Sequence, residues 1–418
     1  MSTGRPRVVI VGAGFGGLAC ARRLRRVNVD ATLVDRTNYH LFQPLLYQVA
    51  SGLLDPSNIA KPTRSILRRV KNVEVLLAEV TSVDLAAHTV STSAKVLEYD
   101  YLVLAAGSVT DYFGNESLRP RTARLKSLDE SIGLRSRLLR CFEQAAVCTD
   151  AVRRHRLLTF TVVGGGPTGV EYAGAVGELI KHVLPKDYRE IDFREVRVAL
   201  LEAGERLLPT FAPRLGASAQ RNLEKKGVDV RLHAAVKDII GDEIVLDSGE
   251  RFGAGTVVWT AGVRAAPLAD SLGVPIVRQG RVEVTPSLCL PDHPEAFVVG
   301  DMAAIRGGDG VLPMLAPVAI QGGRHVARAI DARLHGRGDP VFHYHDKGTM
   351  ATVGRGAAVA QIGPIHINGL VGWLMWLFVH LLYLVGFRSR IIALWSWAWN
   401  YFFYDRPVRL ITTPPGDT

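Results

Sequence analysis

From Arg7 to Val11 the chain runs through a short apolar, β-branched stretch, then Gly12-Ala13-Gly14-Phe15-Gly16-Gly17, then LACARRLRR, whose apolar positions recur at helical spacing. An apolar run closed by glycines and followed by that spacing predicts a buried strand, a tight turn and a helix. A further strand over residues 31–34 ends in Asp35. The same succession returns later in the chain. Residues 157–163 read as a strand, Gly164-Gly165-Gly166-Pro167-Thr168-Gly169 as the turn, VEYAGAVGELIKHV as the helix, and 196–201 as a strand ending in Glu202. Each unit is followed by a strand that exits into small residues, at 101–108 and at 257–262, where Ala261 and Gly262 stand. Residues 296–299 add a buried strand ending in Gly300-Asp301. The pattern predicts an α/β protein with two Rossmann-like dinucleotide-binding domains and a C-terminal helical region.

The glycine spacing carries chemistry in this context. In a strand–turn–helix unit Gly12 and Gly164 permit the tight turn, and Gly14 and Gly166 let the backbone approach a pyrophosphate. Gly17 and Gly169 allow the helix to pack closely on the strand, with its N-terminus facing the phosphate charge. Asp35, 23 residues after Gly12, can accept hydrogen bonds from ribose hydroxyls. Glu202 stands in the same place in the second unit, where a carboxylate favours NADH and repels the extra phosphate of NADPH. Arg206 lies near enough in sequence to blur that preference. Asp301 sits at a strand's carboxyl end, where α/β sheets place ligands, and its position also suits a helix N-cap.

Composition narrows the picture. The 418 residues, 48% hydrophobic and 22% charged, are enough for two or three domains with buried cores. A net charge of +10 suits an anionic membrane surface or a basic soluble protein. No aromatic-interleaved basic stripe or C-x-x-C finger accompanies it, which argues against nucleic acid. The four cysteines, Cys20, Cys141, Cys148 and Cys289, form no closely spaced pair, which fits a reducing compartment. The N-terminus passes straight into the first strand, with no apolar signal region before it. No metal-ligand cluster or hydrolase constellation is visible. His343 and His345 would share one face of a strand, but complete no recognisable metal site.

Three stretches carry a family resemblance: NYHLFQPLLYQVA at 38–50, GVEYAG at 169–174, and HDKGTMATVG at 345–354. With the paired glycine turns they resemble the type II NADH dehydrogenases, the single-subunit, non-pumping NADH:quinone oxidoreductases of the two-dinucleotide-binding-domain flavoproteins. The resemblance implies non-covalent FAD on the first unit, held by Gly12, Ala13, Gly14, Phe15, Gly16, Gly17, Asp35, Arg36, Val80, Asp301, Ala319 and Ile320. It implies NADH on the second, held by Gly164, Gly166, Gly169, Glu202, Ala261 and Gly262. It also implies that Glu171 aids proton or charge transfer during quinone reduction, although a carboxylate near a helix start is also stabilised by the helix dipole. The family's A-Q-x-A-x-Q-Q-G quinone stretch is matched by Ala316-Pro317-Val318-Ala319-Ile320-Gln321-Gly322-Gly323. Gln321 is retained, whereas Pro317 replaces the first glutamine and removes an amide donor, and Gly322 replaces the last. Disulfide reductases and sulfide:quinone oxidoreductases of this superfamily need paired cysteines, which this chain lacks.

The tail completes the sequence picture. Residues 370–387, LVGWLMWLFVHLLYLVGF, are apolar except for His380 and would span about 27 Å as a helix. Arg388 and Arg390 and an aromatic-rich segment follow. A buried core helix, a single membrane span and an in-plane anchor are the three readings. The resemblance favours the anchor, although a clean amphipathic stripe is missing. His380, alone on an apolar helix, reads as structural. The expected domains are 1–112 and 271–340 for FAD, 113–270 for NADH with its Rossmann core at 157–262, and 341–418 for anchoring and dimerisation.

The expected partners are NADH, menaquinone or ubiquinone, a second copy of the chain, and a bilayer surface on the cytoplasmic face of the cell membrane, met through residues 367–404. The competing readings are a soluble reductase serving a small iron–sulfur protein and a non-enzymatic redox sensor at the membrane.

Overall fold

The computed structural model describes residues 4–308 and 310–412; the last residues of the expected C-terminal region, 413–418, lie outside the described residues. In chain order the first elements are β1 (Arg7–Val11), α1 (Phe15–Leu24), β2 (Asp30–Asp35), β3 (Val73–Leu77), β4 (Tyr101–Leu104) and α2 (Leu128–Val147). Then come β5 (Thr159–Val163), α3 (Pro167–His182), β6 (Arg197–Leu201), β7 (Val228–Arg231), β8 (Thr256–Trp259), β9 (Ala296–Val298) and α4 (Ala316–Leu334). Last are β10 (Thr349–Thr352), β11 (Ala358–Ile362), β12 (Ile365–Asn368), α5 (Gly369–Tyr383) and α6 (Phe387–Phe403).

These elements form two compact units. The first comprises the described parts of Met1–Leu41, Lys61–Val109 and Val263–Asp346. Its parallel sheet has the order β9-β4-β1-β2-β3. Val8, Val9 and Ile10 are buried on both faces of the sheet, which explains a continuous apolar run rather than an alternating one. The order reverses at β1, with β2 on one side and β4 on the other. The glycine turn therefore opens at the sheet's switch point, where such folds bind ligands. α1 and α4 pack closely because Gly323 is small: a Cβ there would overlap the carbonyl oxygen of Gly16.

The second unit comprises Phe42–Ala60, Thr110–Gly262 and the described part of Lys347–Thr418. Its parallel sheet, β7-β6-β5-β8, reverses at β5 in the same manner, and β10-β11-β12 form an antiparallel meander. A capping box starts α2: Ser127 accepts the Glu130 N–H at 3.2 Å, and the Glu130 carboxylate accepts the Ser127 N–H at 3.1 Å. This satisfies two donors that a helix start leaves free.

The tail differs from the continuous 18-residue helix expected over 370–387. α5 ends at Tyr383, Leu384 is extended, and Gly386 takes φ +100° before α6 begins. Glycine adopts that conformation without a Cβ penalty. Arg390 folds back so that Nε and Nη2 donate to the carbonyls of Leu384 and Leu382 at 2.8 and 2.7 Å, satisfying acceptors at the end of α5. A 15-residue helix rises about 22 Å. Among the described residues no helix is long and apolar enough to cross a membrane.

Candidate dinucleotide sites and a buried carboxyl

In the first turn Gly12 takes φ +100°, a conformation open to glycine. A Cβ on Gly17 would overlap the Gly12 carbonyl oxygen, whereas one on Gly14 would meet nothing within 4 Å. The space beside Gly14 is thus open for a close-packed diphosphate, as a dinucleotide cofactor requires. One oxygen of Asp35 accepts the Ala13 N–H at 2.6 Å, and the other accepts the Thr37 N–H and hydroxyl, both at 2.7 Å. The carboxylate is fixed at the turn with lone pairs left for a ribose. Buried His40 donates through Nδ1 to the Ala13 carbonyl at 2.9 Å, and its ring meets Phe15 edge-on. Burial lowers its pKa, so the neutral ring braces the turn from behind. Gly16 lies against Ala319, whose oxygen would be 3.4 Å from an added Cβ, and Gly300 lies against the Ala319 side chain. Asp301 belongs to a short 3-10 turn and accepts the Ser108 hydroxyl at 2.6 Å, so it caps no α-helix. The fold brings Gly12–Gly17, Asp35, Asp301 and Ala319 to one end of one sheet. Arg36 is exposed, and Val80 and Ile320 are half-buried.

The second turn repeats this geometry. Gly164 takes φ +108°, and a Cβ there would come within 2.6 Å of the Ala261 nitrogen. A Cβ on Gly169 would overlap the Gly164 carbonyl oxygen, while Gly166 faces open space. Glu202 accepts the Gly165 N–H at 2.6 Å and the Gly204 N–H at 2.7 Å, matching Asp35 in the first unit. Arg206 turns aside and donates to the Pro209 carbonyl at 2.9 Å. Gly262 takes φ +77° against the Phe113 ring, and the Trp259 indole donates to the Ala261 carbonyl at 2.7 Å.

Glu171 lies in the second turn of α3, beyond the free N–H groups at the helix start. The helix-dipole account therefore gives way to burial. Gly174, one turn on, lets the Val353 carbonyl approach to 2.9 Å from where its Cβ would stand, and the Thr352 N–H then donates to Glu171 at 3.2 Å. The Trp376 indole N–H lacks a well-formed hydrogen bond but still favours the charged carboxylate. Desolvation outweighs both and raises the pKa from 4.5 to about 8. At neutral pH Glu171 is a protonated acid enclosed by apolar and aromatic groups.

Residues 6–323 match the pyridine nucleotide-disulphide oxidoreductase family. The chain is 45% identical over 424 residues to the type II NADH:quinone oxidoreductase Ndh of Mycobacterium tuberculosis, covering 98% of this chain and 90% of that protein. It is 46% identical over 427 residues to that organism's NdhA, with the same coverage. The chain belongs to the type II NADH:quinone oxidoreductases. The NDH2 structure from Plasmodium falciparum in complex with NADH shares the fold, with a TM-score of 0.89 over 97% of this chain and 99% of that one at 20% identity. This type II oxidoreductase uses FAD and NADH, and the open space beside Gly14 and Gly166 fits a dinucleotide diphosphate at each turn.

The residues expected to form the quinone motif take definite places in the structure. Pro317 occupies the first turn of α4, where proline's φ suits the helix and no intrahelical bond is lost. Its ring nevertheless removes one free N–H from that helix end. Gln321 is a latch, donating to the His345 carbonyl at 2.9 Å and accepting the His345 N–H at 3.0 Å. His343 and His345 lie outside any strand.

On α5, His380 donates Nδ1 to the Trp376 carbonyl at 2.8 Å and stacks on the Trp376 ring with centroids 4.0 Å apart. Burial lowers its pKa to about 4. Leu370, Leu374, Phe378 and Leu382 are exposed along one stripe of α5, and Phe387, Ile391, Trp395 and Phe402 along α6. The opposite faces bury Trp376 and Trp397 against the second unit. An amphipathic stripe was absent from the sequence because both faces of these helices are apolar.

Sequence reasoning missed the groups that set Glu171's chemistry. Thr352 lies within a stretch already marked by resemblance, but nothing local tied it to α3. Trp376 read only as one of many tail aromatics. The brace from His40 to Ala13 was likewise hidden in a marked stretch without an assigned role.

Proposed function

We propose that the protein oxidises NADH and passes two electrons through FAD to a membrane quinone without pumping protons, with Glu171 holding a proton that quinone reduction consumes. The flavin supplies the redox chemistry when bound. The chain's residues supply binding, orientation and the proton. Gly12–Gly17, Asp35 and Asp301 hold the first dinucleotide; Gly164, Gly166, Gly169 and Glu202 hold NADH. The observation that carries the role of Glu171 is its enclosure by Thr352 and Trp376 with a pKa raised to about 8, close to the working pH that suits a proton donor.

The exposed apolar faces of α5 and α6 support docking in the plane of the bilayer, on the cytoplasmic side where NADH is available. The family resemblance supports a homodimer and gives Pro317 and Gln321 their place as quinone-motif residues. The test of docking is flotation with phosphatidylcholine vesicles. The wild type should float, and L374E/F378E should stay in the aqueous fraction while retaining NADH oxidation with a short-chain soluble quinone. Equal flotation of both proteins would overturn the docking surface.

A further inference from the structure

Two turns along α3 from Glu171, Glu178 is buried among cations. It accepts Lys226 Nζ at 2.6 Å and the Arg355 backbone N–H at 2.5 Å, and pairs with Arg406 at 3.5 Å. Arg406 is only 1% exposed. Its Nη1 donates to the carbonyls of Ser51 and Ala175 at 3.0 and 2.9 Å, while its buried Nε has no acceptor. The Arg355 guanidinium lies over the rings of Tyr401 and Tyr404, at 4.4 and 4.0 Å from their centroids. Its Nη1 is also buried without an acceptor. Both arginines line a cavity of about 40 Å³, walled by Trp376, Trp397, Asn400 and Tyr401.

Lys226 and Arg406 thus share the one carboxylate of Glu178, the Arg355 guanidinium stacks on two tyrosines, and a guanidinium donor of each arginine lining the cavity lacks a partner. Buried charged donors are rarely left unpaired because their lost hydration is expensive. The cavity has room for roughly three waters or one small oxyanion, and water alone leaves the excess positive charge standing. The planar guanidinium suits phosphate and carboxylate oxygens. Trp376 belongs to α5 and Trp397 to α6, the helices whose outer faces are exposed and apolar. An occupant with an anionic head and alkyl chains satisfies both features. We propose that this cavity binds an oxyanion, the phosphate of an anionic phospholipid. Its choice of a lipid source rests on the membrane-docking reading above.

The test uses the full-length holoenzyme and its tryptophan fluorescence, since Trp376 and Trp397 line the cavity. Dihexanoyl-phosphatidylglycerol below its micellar concentration should give a saturable change. R355Q should bind it at least tenfold more weakly, R355K should fall between, and R388Q, altered at an exposed arginine on α6, should match the wild type. Equal affinity in wild type and R355Q, or equal loss in R388Q, would overturn the site. Binding of dihexanoyl-phosphatidylcholine as tight as that of phosphatidylglycerol would overturn recognition of the anionic lipid. Inorganic phosphate binding as tightly would overturn the lipid source. R355Q should still float with neutral phosphatidylcholine vesicles like the wild type. If neither protein floats, the docking reading fails while the soluble-lipid titration still judges the cavity. Unchanged melting of R355Q and R355K shows that both are folded.

Discussion

Replacing Glu171 with Gln isolates what enclosure does to this carboxyl. Gln keeps an oxygen to accept the Thr352 N–H but cannot ionise, so the substitution removes a titration with little change of shape. Burial raises the folded-state pKa from 4.5 to about 8. At about 1.36 kcal/mol per pH unit this corresponds to roughly 5 kcal/mol as a ceiling. The sign follows from which form the fold prefers. Below pH 4.5 the carboxyl is protonated in both folded and unfolded chains, and its full contribution is present. Between 4.5 and 8 the unfolded chain ionises first and stability falls; above 8 both forms are ionised and the loss levels off. E171Q should therefore melt close to the wild type at pH 4.5 and progressively higher up to pH 8, with a gap of at most about 6 °C. Thermal unfolding of the holoenzymes between pH 4.5 and 9 reads this directly. Parallel curves across that range would refute the argument, because they would mean an ordinary carboxyl pKa.

Two further outcomes probe the nucleotide sites. Glu202 holds the second turn through Gly165 and Gly204, and in the proposed NADH site it is the charge that a 2′-phosphate would meet. E202Q should improve NADPH relative to NADH about tenfold in kcat/KM, and an unchanged ratio would move cofactor discrimination elsewhere. A Cβ on Gly14 meets no protein atom within 4 Å, so G14V should leave the apoprotein's melting within about 1 °C of the wild type, consistent with the small effect of unstrained surface changes. It should lower FAD retention at least tenfold, measured as flavin absorbance per protein after gel filtration; full retention would contradict the assignment of the pyrophosphate to that space.

The parts legible in the sequence were those whose signal is local. A glycine turn between an apolar run and a helical pattern marks itself, and a carboxylate ending the next strand follows at a fixed distance. Asp35 and Glu202 could thus be placed before any fold was seen. Glu171 was marked by resemblance, but its chemistry depends on Thr352, 181 residues away, and on Trp376 in the tail. No periodicity records such a contact. The division of the tail also turned on one residue, since Gly386 at φ +100° ends what hydropathy reads as one helix. Gln321 shows the reverse case. Its place in a motif was visible, but its amide pairing with the His345 backbone depends on a loop with no regular pattern. The charge cluster around Glu178 joins α3 to residues from three later segments and carries no local signature.

The most direct test of the account follows the two half-reactions of E171Q by stopped-flow flavin absorbance. Bleaching on mixing with NADH reports the first, and recovery of absorbance on mixing the reduced enzyme with a short-chain quinone reports the second. With Glu171 holding a proton for the quinone, bleaching should stay within about threefold of the wild type, whereas recovery should slow by about 10²-fold, within the range for loss of a positioned acid. The slowing should be greatest below pH 8, where the wild-type carboxyl carries its proton. Equal slowing of both half-reactions, or recovery at the wild-type rate, would contradict the role assigned to Glu171.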